Sequence, residues 1–399
     1  MADKMSLAQL IHPVDVESFL GDVWGQNVSL YSPSSGPAVN EIIDLSSFEM
    51  LLATTNRANE GWLQLARGER KAFPADAIDD EGMLDLRRVR AAFSAGETLY
   101  LTKAHRLCPP LMHLCQAIES DLGVHGVALR AAVSAHIFLT PSRSQGFAAH
   151  RDEHASFVLQ IDGSKEWTVY DEETSSSEGV YRPGGVELGS LASAKRRTFH
   201  LKPGDVLYIP EWWVHEARTS DSHSLHVTLR IFPLRWGDVL RELCAEVPIL
   251  GDPIPRHGAG DPHGLAEGLV SLLRSSGFRS PLPKLIGGIA RNCSEPKTVL
   301  PDDGLRRLIE ADRIELETWL TRPAGVPCHV EEDGTSVCID FPGGLIRGPA
   351  KLGEVFEYVA SAVTMRACDL PSVAGSSYDK LDVARKMVQH GLLQISNES

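Results

Sequence analysis

The chain has 399 residues, 43% of them apolar and 23% charged, with a formal net charge of −14. That length allows two or three domains around a large buried core, and the acidic balance argues against broad nucleic-acid binding, which needs a cationic face. No long apolar run suited to a membrane span occurs, and Met1-Ala-Asp-Lys-Met-Ser6 lacks the basic-then-apolar layout of a secretory signal. The seven cysteines form no Cys-x-x-Cys pair, which points away from a zinc ribbon or disulfide framework and toward the reducing cytoplasm.

In chain order, residues 7–24 carry apolar positions at Leu10, Phe19, Leu20 and Trp24, as a short helix packed on a larger body would. Ser34-Ser35-Gly36-Pro37 reads as a turn-rich connector, and Asp44 as the N-cap of a helix through Phe48, Met50, Leu51 and Leu52. Leu86 to Phe93 reads as helix and Thr98 to Thr102 as strand. Pro109-Pro110 opens a helix with Leu111, Leu114, Cys115 and Ile118 on one stripe. From about residue 130 the character changes. Short β-branched and aromatic segments recur between Gly, Pro, Ser and Asp clusters: Ala132–Leu139, Ser156–Ile161, Glu166–Tyr170, Thr198–Leu201, Val206–Ile209 and Leu225–Phe232. Many short strands with turn signals predict a sandwich or barrel, not a parallel α/β sheet.

The polar stretch 171–196 is an insertion between two strands, either a flap or a plain surface loop. Helices are expected at Val239–Leu250 and Leu265–Leu273, and one long amphipathic helix over 302–321 with Leu305, Leu308, Ile309, Ile314 and Leu316 on one side. The last hundred residues read as a separate small module. Ser336–Phe341 and Leu345-Ile346 form a hairpin through Pro342-Gly343-Gly344. A helix follows with Leu352, Val355, Phe356, Val359 and Val363. Another carries Leu381, Ala384, Met387 and Val388 and stops at Gly391.

In Phe147-Ala148-Ala149-His150-Arg151-Asp152 the histidine and aspartate stand two residues apart, so on a strand both face one side and one ion can take both. A His-x-Asp/Glu pair is a weak signal alone. About two are expected by chance in this composition, and His329-Val330-Glu331 is the other. The context of the first pair is stronger. Lys202-Pro203-Gly204-Asp205 turns into the apolar strand Val206–Ile209, and Pro210-Glu211-Trp212-Trp213-Val214 leads to His215. A barrel strand would deliver His215 to the same ion. Two histidines and one carboxylate on one face leave about three positions open, as an O₂-activating ferrous site requires. A structural zinc site would close its shell. His154, His223 and His226 fall outside the pattern and read as supporting or structural. Trp167, Trp212 and Trp213 are candidates to wall the site.

These residues resemble the JmjC-type cupin proteins, specifically the branch containing the ribosomal oxygenases. Segment 140–170 is similar to that family's stretch from the first ligand pair to its Gly-x-Lys/Arg-x-Trp strand, and 203–215 to its second half. The resemblance implies a mixed α and β fold: a double-stranded β-helix (jelly-roll, cupin) core with N-terminal helices over residues 1–236. A helical dimerisation-type region would follow over 237–300, and a winged-helix-like module over 301–399. It implies Fe(II) held by His150, Asp152 and His215, with 2-oxoglutarate as cosubstrate. Lys165 would face the far carboxylate, since desolvating that group without a cation costs several kcal/mol. Thr228 matches a position lending a hydroxyl to the cosubstrate. His136 and Phe138 stand where family members carry Asn and Tyr near it, so His136 is taken with the cofactor-side residues as a departure.

The implied activity is hydroxylation of a protein or peptide side chain by a cytoplasmic homodimer, with no membrane and no nucleic-acid partner. A hydroxylase of a small natural product or peptide precursor is the alternative within the same chemistry. A metal-binding cupin that is not an oxygenase is the alternative outside it; only the 2-oxoglutarate reading needs a cation at Lys165.

Overall fold

The computed structural model describes residues 5–33, 39–55, 61–68, 70–72, 77–171, 184–185, 194–246, 262–275, 304–322, 328–332, 334–341, 344–372 and 379–396, with the single residues 279, 282 and 286. The chain divides into two units, Met1–Thr298 and Val299–Ser399.

Residues 7–24 form two helices where the apolar spacing predicts one: α1 (Leu7–Leu10) and α2 (Val16–Asp22). Pro13 has no N–H to continue the first, and Asp15 caps the second by accepting from the Ser18 amide at 2.9 Å. α3 (Leu45–Ala53) starts at the expected cap, with Asp44 Oδ1 2.6 Å from the Ser47 amide. α4 spans Leu86–Ser94 and α5 spans Pro109–Val124. In α5 both prolines sit in the first turn, where an absent N–H is not missed, and Leu111, Leu114, Cys115 and Ile118 are buried as their spacing requires.

Thirteen described strands of the first unit pair in two antiparallel sheets. In chain order they are β1 (Ser29–Tyr31), β2 (Leu63–Arg67), β3 (Arg70–Ala72), β4 (Thr98–Leu101), β5 (Ser134–Thr140), β6 (His150–Arg151) and β7 (Ala155–Gly163). There follow β8 (Lys165–Tyr170), β9 (Gly184–Gly185), β10 (Arg196–Leu201), β11 (Val206–Ile209), β12 (His215–Arg218) and β13 (Ser224–Ile231). The larger sheet runs β1-β11-β7-β13-β5-β4-β2-β3 and the smaller β10-β8-β12-β6-β9. This is the predicted barrel-like β core, and every strand segment expected between 130 and 232 has its counterpart. From the insertion, β9 pairs with β6, Gly185 opposite His150; residues 172–183 and 186–193 lie outside the described residues.

The side-chain period of two sorts the larger sheet into two buried faces. Phe157 and Leu159 of β7, Val227 and Leu229 of β13, Ile137 of β5 and Tyr208 of β11 join the main core with residues of α1, α2 and α5. Phe19 packs edge-on to Tyr208 with ring centroids 5.0 Å apart, and Tyr208 Oη accepts from the Gly25 amide at 2.9 Å. The alternate residues of the same strands turn toward the smaller sheet. Covering one face with helices explains why β7, β11 and β13 read as nearly unbroken apolar runs. Gly163 makes the turn from β7 into β8 at φ +65°, and a Cβ there would stand 1.9 Å from the His223 carbonyl oxygen, so only glycine fits.

In the second unit the helix expected over 302–321 is a correction. Helix Gly304–Ala311 ends early, and Trp319–Thr321 is a strand between Thr364–Arg366 and Gln394–Ile395. Two turns intervene: the Arg313 amide bonds the Glu310 carbonyl, and Thr318 Oγ1 accepts from the Glu315 amide at 2.9 Å. Apolar residues from two elements thus mimic one helical stripe; Ile314 is buried whereas Leu308 and Ile309 are exposed. The expected hairpin is present as Ser336–Phe341 paired with Gly344–Pro349. Helices Gly353–Ser361 and Lys380–Gln389 bury Val355, Phe356, Val359, Ala384, Met387 and Val388; Val363 lies beyond its helix and is exposed. Among the described residues no helix is long and apolar enough to cross a membrane.

Candidate metal centre

The inward residues of the two sheets enclose a cavity of about 630 Å³. The larger sheet contributes Tyr100, Phe138, Val158, His226, Thr228 and Arg230, and the smaller one His150, Lys165, Trp167 and His215. His150 lies on β6 directly opposite His215 on β12, and Asp152 follows two residues after His150. Register therefore brings together ligand candidates that are 63 to 65 positions apart in sequence.

His150 Nε2 and His215 Nε2 each stand 3.7 Å from Asp152 Oδ2, and the three ligand atoms all lie within 4.8 Å of one another. A metal binds such donors at about 2.0 to 2.2 Å, so neighbouring ligands stand about 3 Å apart and opposed ones about 4 Å. The 3.7 Å spacing to Asp152 is wider than neighbouring ligands by less than about 1 Å, a gap that small side-chain rotations close on one ion. In each imidazole the other nitrogen is committed: His150 Nδ1 donates to the Ala148 carbonyl at 2.8 Å and His215 Nδ1 to the Trp213 carbonyl at 2.9 Å. Both Nε2 lone pairs are thereby left toward the carboxylate, the arrangement that orients histidine for a metal. Burial pushes the His215 imidazolium down to about 4, so the ring is neutral and can ligate. Burial opposes the charge of Asp152, but the surrounding imidazoles and the Arg230 guanidinium outweigh it and hold the carboxyl well below its usual range. Among the described residues this is the one group of His, Cys, Asp and Glu with metal-binding spacing; His329 and Glu331 lie on strand His329–Glu332 and belong to no such group.

Lys165, the first residue of β8, is 6% exposed and lines the same cavity. Its Nζ donates to Thr140 Oγ1 at 2.9 Å, and no described carboxylate pairs with it. Burial alone pushes its ammonium down from 10.5 to about 7. A lysine held at that cost with no carboxylate paired to it among the described residues fits an anionic ligand end. Thr228 lines the cavity from β13.

His136 does not join the lining. It points inward from β5, yet its Nδ1 lies 3.0 Å from Tyr100 Oη and its Nε2 3.2 Å from Ser134 Oγ, so both nitrogens are taken within the wall. Its neighbour Tyr100 reaches the cavity instead. Trp167 lines the cavity, whereas Trp213 packs in the smaller sheet's apolar cluster with Leu207 and Leu201. Trp212 also lies away from the lining; with φ +68° it carries the turn whose amide bonds the Asp152 carbonyl at 2.7 Å, and its ring meets Arg235. His154 is closer to the centre than its sequence position suggests. Its Nε2 stands 3.6 Å from Asp152 Oδ2 and accepts from Arg230 Nε at 2.6 Å, and burial holds the ring neutral with its pKa down at about 3. Arg230 and Tyr100 are site residues that sequence reasoning missed. Arg230 was accessible through the pleat, being two positions beyond Thr228 on one strand; Tyr100 gave no signal, since β4 joins the sheet across a long helical connection.

Residues 110–239 match the family model described as JmjC domain. Over 236 residues the chain is 30% identical to a protein of Drosophila persimilis named bifunctional lysine-specific demethylase and histidyl-hydroxylase NO66, covering 57% of this chain and 32% of that one. It is 26% identical over 240 residues to ribosomal oxygenase 2 of Rattus norvegicus, covering 58% of this chain and 48% of the rat protein. The chain thus spans half or less of the length of these curated relatives. Among solved structures it is similar in fold to Escherichia coli ycfD, with a TM-score of 0.51 at 14% identity over 96% of this chain and 98% of that one. A second structure of that ribosomal oxygenase, in complex with cobalt and 2-oxoglutarate, gives a TM-score of 0.50 at the same identity, over 96% of this chain and 99% of that one. Residues 110–239, which carry His150, Asp152 and His215, thus match a JmjC domain, and the chain is similar to proteins named as histidyl-hydroxylase and ribosomal oxygenase.

Proposed function

We propose that this chain is an Fe(II)- and 2-oxoglutarate-dependent oxygenase that hydroxylates a protein or peptide side chain. The observation that carries the reading is the pairing, in one cavity, of an open His-Asp-His face with a buried lysine that lacks a carboxylate partner. The relatives' names, hydroxylase, demethylase and ribosomal oxygenase, and the ycfD complex with cobalt and 2-oxoglutarate support it.

In this reading His150, Asp152 and His215 hold the metal by one face and leave the rest open. When bound, the metal and 2-oxoglutarate supply O₂ activation coupled to decarboxylation to succinate and CO₂. The protein's own work is orientation and exclusion of water. The Ala148 and Trp213 carbonyls fix the ligand rings, and the Asp152 loop is tied by the Trp212 amide. Lys165 supplies the cation for the distal carboxylate, Thr140 aims its Nζ, and Thr228 offers a hydroxyl nearby. His136 serves one step removed, holding the Tyr100 phenol in place.

The shifted lysine gives a pH signature. Unbound, Lys165 titrates at about 7 in the folded chain against 10.5 as a free side chain. Between those values the unfolded chain holds one more proton, so unliganded stability rises with pH across that window. A bound carboxylate restores the lysine's charge, so binding takes up a proton above pH 7 and affinity falls as pH rises. Calorimetry of 2-oxoglutarate binding in two buffers of different ionisation enthalpy is expected to show uptake approaching one proton at pH 8.5 and little at pH 6. Lys165→Arg, which cannot neutralise, should abolish the uptake.

Exposed apolar residues on helices Trp236–Glu246 and Pro262–Arg274, Trp236, Leu240, Leu269 and Val270 among them, support a second copy as the partner of the 237–300 region. Light scattering is expected to give twice the chain mass, and a monomer at micromolar concentration would contradict it. The hairpin and helices of Val299–Ser399 support the winged-helix-like reading of the last module, as a docking element without a nucleic-acid role. Cys108, Cys115, Cys328, Cys338 and Cys368 are free thiols, which supports a reducing compartment such as the cytoplasm.

The test of substrate class is succinate release over a panel of ribosomal-protein and histone peptides, with product masses. Gain of one oxygen on a ribosomal peptide is the expected result. Loss of a methyl group from a lysine would replace hydroxylation by demethylation, and turnover only with small metabolites would overturn the protein-substrate reading.

A further inference from the structure

We propose that His226 is a ligand-binding residue of this cavity, donating an imidazole N–H to the carboxylate that Lys165 faces. The inference rests on the oxygenase reading above and names a residue of this chain that neither the metal centre nor the lysine accounts for.

His226 is 2% exposed and lines the cavity from β13, two residues before Thr228. Its Nδ1 is buried with no hydrogen-bonding partner. Trp167, on β8 two residues after Lys165, shares the condition: it is 7% exposed, lines the cavity, and its Nε1 has no partner. Leaving such a buried polar atom unsatisfied costs about 1 to 3 kcal/mol, and native structures rarely tolerate two side by side. The two rings meet edge to face with centroids 5.6 Å apart, and Lys165 Nζ lies 5.9 Å from the Trp167 ring centre. His226 and Trp167, from two opposing sheets, thus line one cavity together with Lys165, to which the protein supplies a single acceptor, Thr140 Oγ1.

A carboxylate answers that arrangement. It has two oxygens and about four lone-pair sites, and it takes N–H donors from several sides. An amine or a second cation would only add donors. His226 is suited to donate because it stays uncharged: burial and the neighbouring Lys165 push its pKa well below the ordinary value. A neutral imidazole retains one N–H. Its plane is fixed by Phe138, stacked at 4.8 Å and only 2° from parallel, so the ring cannot turn away to find another partner. A phenyl ring would satisfy the stacking equally well. What histidine adds at this position is the N–H.

The test compares 2-oxoglutarate with pyruvate, which keeps the keto-acid end and lacks the distal carboxylate, on Mn(II)-loaded protein by calorimetry. His226→Phe preserves the stack and removes the donor. It is expected to weaken 2-oxoglutarate about 10- to 100-fold, the cost of one hydrogen bond to a charged group, and to leave pyruvate unchanged. His226→Gln, which keeps a donor, should recover much of the loss. Unchanged 2-oxoglutarate affinity in a folded His226→Phe variant would make the residue a packing group and overturn the proposal; equal losses for both ligands would do the same. If His226→Phe does not fold, the unmodified chain still decides. With Zn(II) bound, the ¹⁵N signals of the His226 ring are expected to move on adding 2-oxoglutarate and not pyruvate, and signals that stay put would overturn the assignment. Failure of the wild-type protein to bind 2-oxoglutarate at all would instead sink the oxygenase reading together with this one.

Discussion

Asp152→Ala is expected to lower Fe(II) affinity by more than about 100-fold, because losing even an outer partner of a metal ligand costs about 10- to 100-fold and Asp152 is placed as a ligand itself. Its Oδ2 is the atom that both Nε2 donors face at 3.7 Å, so without it two neutral imidazoles remain and no anion offsets the metal charge. The loss should appear in calorimetry with Fe(II) under argon, and equally with Mn(II). The fold should survive, since the carboxylate faces the cavity and takes no part in the apolar clusters. A variant that binds metal as tightly as the parent would show that the ion sits elsewhere.

Lys165→Met is expected to weaken 2-oxoglutarate about 100-fold or more while leaving metal affinity unchanged, since it leaves a buried carboxylate without its cation. The same substitution is expected to raise the melting temperature of the unliganded protein at pH 6. Below about pH 7 the folded chain holds this lysine charged in a wall without a carboxylate partner, so the desolvation cost is fully present there. A residue kept for binding at the expense of stability behaves this way. A lower melting temperature would mark Lys165 as a structural lysine, stabilised by partners other than a ligand. The opposed signs make the pair of measurements informative even before a substrate is known.

The barrel strands were legible because their signal is local. Alternation, β-branched residues and Gly-Asp turns mark β7, β8, β11 and β13 within one or two residues of their ends; the Pro-Gly-Asp turn announces β11, and His215 opens the next strand, β12. His150 and Asp152 were legible through their i, i+2 spacing, although β6 ends at Arg151 and Asp152 stands just beyond it. What the sequence left open was whatever depends on the third dimension. His136 shares the inward face of β5 with Phe138, but only the structure shows its nitrogens consumed by Tyr100 and Ser134. Tyr100 enters the site through register with β5 and no motif marks it, whereas Arg230 follows from Thr228 by the pleat of β13. The helix drawn over 302–321 failed for the opposite reason. Ile314 buries from the turn that follows Gly304–Ala311 while Leu316 stays exposed, and their spacing happens to continue that helix's stripe.

The central claim is that one cavity binds a ferrous ion and chelating 2-oxoglutarate together. Anaerobic titration of the apoprotein with Fe(II) and then 2-oxoglutarate tests it without any substrate. The account predicts a visible iron-to-ketoacid charge-transfer band that is absent in Asp152→Ala and needs far more 2-oxoglutarate in Lys165→Met. Fe(II) and 2-oxoglutarate both bound with no such band would contradict it, and would leave a metal-binding cupin of another chemistry.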